Sequence, residues 1–131
     1  MITTQNKDEI MEILALLRPL EAMTTQISGE KYATLSQVIP LTHCGLAQIL
    51  KTHCKTATAI ELKTCILAQF DRRFGKTEES FLLAASTLLD PRFKKIHFED
   101  PIALSVVTTR LRDEISDNFC AVALALAMKL L

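Results

Sequence analysis

The stretch STLLDPRFKKIHF, residues 86–98, separates two runs of apolar residues at helical spacing. Asp90-Pro91 predicts the end of a helix, because the residue before a proline is disfavoured in the helical region. Asp100-Pro101 predicts the start of another, because Asp is a good N-cap and Pro fits the first helical position. Between these two breaks stand an aromatic and three basic residues: Phe93, Arg92, Lys94 and Lys95. The stretch therefore predicts two helices joined by a basic turn.

The rest of the chain also shows helical spacing, with almost no strand signal. The first helix is expected from about Lys7 to Ile27, because Asn6 and Glu9 resemble a capping box and Ser28-Gly29 ends the pattern. The second is expected after an N-cap at Thr34 to about His53, and the third from Ala57 to Phe74. The fourth follows an N-cap at Thr77 and ends near Leu89, and the fifth runs for nearly thirty residues after Asp100-Pro101. We predict an all-α fold over residues 1–131, with about five helices in an irregular bundle and a long C-terminal helix.

Two prolines lie within these predicted helices, Pro19 in the first and Pro40 in the second. A proline in a helix interior removes one backbone hydrogen bond, at a cost of roughly 3 kcal/mol. We therefore expect a kink near each of them.

The third predicted helix has an apolar face and a clear C-terminal end. Its inward residues are expected to be Ile60, Cys65, Leu67 and Phe70. Arg72, Arg73 and Gly75 follow, which places two cations on the negative end of the helix dipole and a glycine just beyond it.

Composition limits the function classes. A chain of 131 residues with 49% hydrophobic residues and no Trp suits one helical domain with an aliphatic core. Fifteen basic and fifteen acidic residues cancel, so no global field attracts nucleic acid or membrane. The N-terminus lacks the basic segment of a secretory signal, and the apolar run 119–131 is shorter than the roughly 20 residues of a membrane span. We expect a soluble intracellular protein in which this run is the buried end of a helix.

The cysteines and histidines invite a test for zinc. His43-Cys44 and His53-Cys54 stand ten residues apart, which is about 15 Å on a continuous helix. Zinc ligands lie about 2.0–2.3 Å from the metal, so the two pairs are not expected to share an ion. We predict reduced, buried thiols, half-exposed histidines, and neither a metal nor another cofactor.

No arrangement of residues predicts catalysis. The carboxylates do not converge at any recognisable spacing, and several are explained as helix caps or acidic first turns. The chain has three glycines and no Gly-rich phosphate loop or nucleophile elbow. The sequence therefore predicts a protein that is not an enzyme.

The basic residues allow two interpretations. In the structural one, Phe93 anchors the turn onto the core and the neighbouring cations are solvated. In the functional one, the turn contacts phosphate together with the end of the third helix. The candidate phosphate contacts are Arg72, Arg73, Arg92, Lys94 and Lys95. Such a set suffices for weak, non-specific DNA binding but not for sequence readout.

A resemblance rests on two blocks of sequence, LLRPLEAMTTQISGEKYATLSQVIPLTHC (Leu16 to Cys44) and LLDPRFKKIHF (Leu88 to Phe98). In this order they resemble the hAT superfamily of DNA transposases, and especially the BED-type zinc-finger proteins derived from them. The likeness spans roughly Ile10 to Ile115. Ala33 stands where related sequences often have proline, and the run after about Ser116 no longer resembles the family.

The resemblance implies that these helices are part of the insertion in an RNase H-like catalytic domain, in a nuclear protein that acts in DNA transposition. The family's catalytic carboxylates, finger cysteines and paired histidines have no counterpart here, so no such residue is carried over. We therefore expect a catalytically inactive fragment that shapes the catalytic domain or positions DNA. The alternative is a stand-alone helical module, a domesticated remnant that binds protein, with a role in transcription regulation. Expected partners are weakly bound DNA, the RNase H-like domain of the parent, or a second copy.

Overall fold

A computed structural model describes residues 3–29 and 35–130 of the chain. These residues form five α-helices and one short 3₁₀ turn, and no strand occurs in either range. The helices are α1 (Thr4–Gly29), α2 (Val38–Lys51), α3 (Ala57–Phe74), α4 (Phe81–Leu89) and α5 (Pro101–Leu130), with the 3₁₀ turn at Leu35–Gln37. The all-α prediction and the long C-terminal helix are confirmed.

Helix α1 starts earlier than the sequence predicts. Its first residue is Thr4, and the Thr3 hydroxyl accepts a hydrogen bond from the Asn6 backbone N–H at 3.4 Å. Asn6 therefore lies inside the first turn and is not the N-cap. The helix continues through the buried Pro19 and ends at Gly29.

Pro40 does not lie in the middle of a helix, as the sequence led us to expect. The chain forms a 3₁₀ turn first, α2 begins at Val38, and Pro40 is its third residue. Backbone N–H groups in the first turn have no acceptor within the helix, so the proline removes no helical hydrogen bond there. The predicted N-cap at Thr34 lies outside the described residues.

The core consists of two apolar clusters that share α2. Buried residues of the first cluster come from α1, α2 and α3: Leu16, Ile49, Ala59 and Phe70. Those of the second come from α2, α4 and the start of α5: Ile39, Ala84, Ala85 and Val107. One end of α2 thus packs in each cluster. Helix α1 lies close to α2 at Gly45, where an added Cβ would require the flexible Met23 side chain to move.

The face of α3 that packs against the core differs from the predicted face. Phe70 is buried and Leu67 packs against the first cluster, as expected. Ile60 is 49% exposed and Cys65 is also exposed, whereas Ala59 is fully buried. The small Ala59 side chain lets the helix approach its neighbours closely, which a search for large apolar residues does not detect.

The two later helices follow their predicted limits with one correction. Helix α4 begins at Phe81, because Thr77 closes a turn by donating its hydroxyl to the Phe74 carbonyl at 2.9 Å. It ends at Leu89, before Asp90-Pro91, as predicted. Helix α5 starts at Pro101, and Asp100 Oδ1 accepts the Ile102 N–H at 2.8 Å, which confirms the predicted cap.

The second half of α5 is not the buried helix end that its composition suggested. Every residue from 112 to 129 is exposed. Leu111 is the last residue that packs against the second cluster. At a rise of 1.5 Å per residue, the exposed part extends for about 27 Å. Residues 112–129 are called the α5 tail below.

Candidate functional site

The basic turn after α4 is organised around the Asp90 carboxylate. Asp90 Oδ2 accepts the Ser36 hydroxyl at 2.7 Å and Arg92 Nη2 at 2.8 Å. Asp90 Oδ1 accepts the backbone N–H and Nε of Arg92 at 3.0 and 3.1 Å. Hydrogen bonds from the Arg92 side chain, then from Ser36, hold the pKa of Asp90 well below its ordinary value. Arg92 is therefore held against a carboxylate of its own chain.

The aromatic residue of this turn does not anchor it in the way expected. Phe93 packs edge-on against His97 with ring centroids 5.9 Å apart, and the Arg92 guanidinium lies 5.0 Å from its ring centre. Phe98 is the aromatic that packs against the second cluster. Lys94 adopts a positive φ of 50°, and both Lys94 and Lys95 are exposed.

The candidate phosphate contacts lie on two parts of the fold. Arg72 and Arg73 are exposed in the last turn of α3, which packs on α1 and α2. Arg92, Lys94 and Lys95 follow α4, which packs on the 3₁₀ turn, α2 and α5. The described structure thus offers two small basic groups, and their contact with phosphate stays a prediction.

A cavity of about 550 Å³ lies where the end of α3 meets the start of α5. His43 points its Nε2 at Glu78 Oε1, 3.1 Å away, and its Nδ1 lies 3.8 Å from Glu99 Oε1. Five carboxylates and two aromatic rings line the cavity. They are those of Asp71, Glu78, Glu79, Glu99 and Asp100, with Phe70 and Phe74. Its excess of negative charge opposes the binding of phosphate.

Glu78 has a structural task in this cavity. Its carboxylate accepts the backbone N–H groups of Glu99 at 3.0 Å and Asp100 at 2.9 Å, just before α5 begins. It also orients the half-buried His43 ring. The carboxylate therefore fixes the entry of α5 and links it to α2. Sequence reasoning missed this group, because residues far apart in the chain form it and no local pattern marks them.

A second carboxylate acts in the same way at the other end of the molecule. Glu12 on α1 accepts the backbone N–H groups of Lys55 and Thr56 and the Thr56 hydroxyl, at 2.7–3.1 Å. These bonds, led by the Thr56 backbone N–H, lower the pKa of Glu12. A side chain of α1 thus fixes the two residues that lead into α3.

The histidine–cysteine pairs are arranged differently from the prediction. Helix α2 ends at Lys51, so His53 and Cys54 lie beyond it. Cys44 is exposed and Cys54 half-buried, and the other two cysteines are also exposed, in contrast to the expected buried thiols. Within residues 3–29 and 35–130, no group of three or more His, Cys, Asp or Glu side chains could hold a metal ion.

Six large apolar side chains are exposed along the α5 tail. Ile115, Phe119, Val122, Leu124, Leu126 and Met128 are each 57–75% exposed. Ile115, Val122 and Leu126 continue the helix face on which Leu104 and Leu111 pack against the second cluster, because they recur at intervals of seven and four residues. The core-facing stripe of α5 therefore extends well beyond the core.

Comparisons with models of known protein families, with curated proteins and with solved structures give no match. Across the described residues, no helix has both the length and the apolar character that a bilayer crossing requires.

Proposed function

We propose that this chain is a non-catalytic helical module that works by binding another protein through the α5 tail, and that it derives from the insertion region of a hAT-type transposase. The observation that carries the proposal is the exposure of four large apolar side chains on one side of the tail, Ile115, Phe119, Val122 and Leu126. Contiguous apolar surface of more than a few hundred Å² on a soluble domain marks an interaction site. The net charge of zero offers little repulsion against association.

The two blocks that resemble hAT transposases lie against each other in the fold. The first block of the resemblance contains Ser36, and the second contains Asp90. These two side chains meet at 2.7 Å, and the Ser36 carbonyl also accepts the hydroxyl of Thr87, next to the second block, at 3.1 Å.

The proposed partner is the RNase H-like domain of such a parent, in the nucleus, and its surface would cover the tail. In a stand-alone remnant with a role in transcription regulation, the α5 tail would bind a different protein. Genomic sequence on either side of the coding region separates these origins. Flanking strands of an RNase H-like domain and an upstream BED finger support the first, and unrelated flanks support the second.

DNA contact is the weaker part of the ancestral role. Lys94, Lys95, Arg72 and Arg73 offer positive charge to phosphate, whereas Arg92 is held by Asp90. Contacts of this number give binding that depends strongly on salt. Fluorescence anisotropy with a labelled duplex should therefore show weak binding at low salt that disappears at moderate salt. Specific binding at physiological salt would contradict the protein-binding role as the main one.

The direct test uses the full chain and charged substitutions in the tail. Phe119→Glu with Val122→Glu should lower the binding of an apolar dye and raise solubility, because both side chains are more than half exposed. Far-UV circular dichroism should show unchanged helix content, since Glu is a good helix former. Ile96→Glu, also highly exposed but in the basic turn, is the matched control and should change dye binding much less. Equal effects of tail and control substitutions would contradict the proposal.

A further inference from the structure

A second exposed apolar stripe lies on α1. Ile10, Leu14 and Leu17 are 49%, 46% and 41% exposed and stand four and three residues apart. This spacing places them on one side of the helix. It is the side turned away from Leu16 and Pro19, which are buried. Ile10, Leu14 and Leu17 are called the α1 stripe below.

The spacing of the α1 stripe fits that of the α5 tail. Phe119, Val122 and Leu126 stand three and four residues apart, the reverse order of the α1 stripe. Two helices that run antiparallel would therefore pair each large side chain with another. The pairs are Leu17 with Phe119, Leu14 with Val122, and Ile10 with Leu126.

Charge selects the antiparallel direction. A parallel arrangement has the same apolar fit, with Ile115, Phe119 and Val122 on the stripe, but it places Lys7 level with Arg112 and Glu9 level with Glu114, beside the apolar contact. Like charges at matching levels destabilise helix pairs.

The antiparallel arrangement has complementary charges. It places Glu21, four residues after Leu17, one turn from the level of Arg112, seven residues before Phe119, so both charges lie on the side of their helix that carries the apolar contact. Its like-charged pair, Lys7 and Lys129, lies at the end of the contact, where long side chains reach solvent.

We infer that the α5 tail of one copy packs antiparallel on the α1 stripe of a second copy. The inference rests on the proposed function, and it names a second copy of this chain as the occupant of the tail where the RNase H-like domain of a parent does not cover it. The stripe and the tail in this contact come from different copies, because within one chain α1 packs on α2 and α3 while α5 packs on α4. If each copy gives its tail and receives that of the other, the assembly closes as a two-fold dimer.

The expected dimer is weak. Each contact involves six large side chains that are about half exposed; at about 80 Å² each, they bury about 500 Å² per contact and about 1,000 Å² in the reciprocal dimer. This is the lower end of the range for specific interfaces, so we expect a Kd on the order of micromolar. Such a dimer is concentration-dependent over the range that sedimentation measures.

Sedimentation velocity of the full chain tests the inference with one substitution in each surface. Leu14→Glu and Val122→Glu should each raise the dimer Kd at least tenfold, because each places a charge in the apolar contact. Leu82→Glu, at an exposed position of α4, is the matched control and should leave the Kd unchanged. A mixture of Leu14→Glu and Val122→Glu chains should regain part of the association, since the first supplies an intact tail and the second an intact stripe. Circular dichroism checks that every variant keeps its helix content.

A charge exchange gives a second readout that does not depend on apolar packing. Glu21→Arg should weaken the dimer, and Glu21→Arg with Arg112→Glu should restore it. If Val122→Glu dissociates the dimer and Leu14→Glu does not, the tail binds another surface, so this inference is overturned while the proposed function stands. If the wild-type chain is a monomer throughout and its tail variants leave dye binding unchanged, both are overturned.

Discussion

Thr87→Val tests how the second cluster is joined to the 3₁₀ turn. Thr87 is fully buried, and its hydroxyl lies 3.1 Å from the Ser36 carbonyl oxygen and 2.9 Å from that of Leu83. Val has nearly the same shape but no hydroxyl, so the substitution removes this bridge between α4 and the turn. A buried hydrogen bond contributes about 0.5–1.5 kcal/mol net. We therefore expect a loss of about 1 kcal/mol in the free energy of unfolding.

Thermal unfolding followed by circular dichroism measures this effect. In a domain of this size, 1 kcal/mol corresponds to a fall in Tm of about 4 °C. Thr64→Val is the matched control, because the exposed Thr64 donates its hydroxyl to the Ile60 carbonyl of the same helix. The control should change stability by less than about 0.5 kcal/mol. If Thr87→Val is as stable as the control, the hydroxyl bridge does not hold α4 to the turn.

Three further predictions concern the core, acid stability and metal. Ile49→Ala, at a fully buried position, should lower the free energy of unfolding by about 2–5 kcal/mol in urea titration; a loss below about 1 kcal/mol would contradict the first cluster as described. Because the pKa of Asp90 is depressed when folded, its stabilising effect is present above the unfolded value near 3.8 and is lost as pH falls below it; Asp90→Asn should therefore reduce the acid-induced fall in Tm, and an unchanged pH profile would contradict this role. Elemental analysis of dialysed protein should find no stoichiometric zinc, and one zinc per chain that disappears in Cys44→Ser with Cys54→Ser would refute that prediction.

Helix limits were predictable wherever a local rule controls them. Asp100 and Pro101 fix the start of α5, and Asp90-Pro91 fixes the end of α4, because each effect depends on residues adjacent in the chain. The start of α4 was misplaced because Thr77 closes a turn instead of a helix. A threonine hydroxyl can close a turn or cap a helix, and the surrounding packing decides which of these Thr77 does.

The tertiary arrangement was less predictable because it depends on residues distant in sequence. Nothing local distinguishes Glu12 or Glu78 from the other carboxylates, yet each binds two backbone N–H groups on another segment. The exposure of Phe119 was missed for a related reason. Composition alone predicts burial for an apolar helix, but burial also requires neighbours, and α5 extends beyond them.

The basic residues show where prediction of a candidate site fails. A run of cations near Phe93 suggested one surface, but Arg92 is engaged by Asp90 two residues away. The surfaces that the proposals use, on α1 and α5, carry no motif. They are recognisable only from which side chains the fold leaves exposed.

The helix ends have a consequence for how this chain folds. Lys55 and Thr56, which lead into α3, donate their backbone N–H groups to Glu12 of α1, and the carbonyls of Leu50 and Thr52 at the end of α2 accept Lys63 Nζ of α3, at 3.0 and 2.8 Å. The end of α2 and the segment that leads into α3 thus depend on side chains of other helices for part of their hydrogen bonding. Nucleation of an isolated helix is unfavourable, and these hydrogen bonds form only on docking. Secondary and tertiary structure should therefore appear in a single kinetic step, and a peptide of residues 57–74 should be largely unstructured in water.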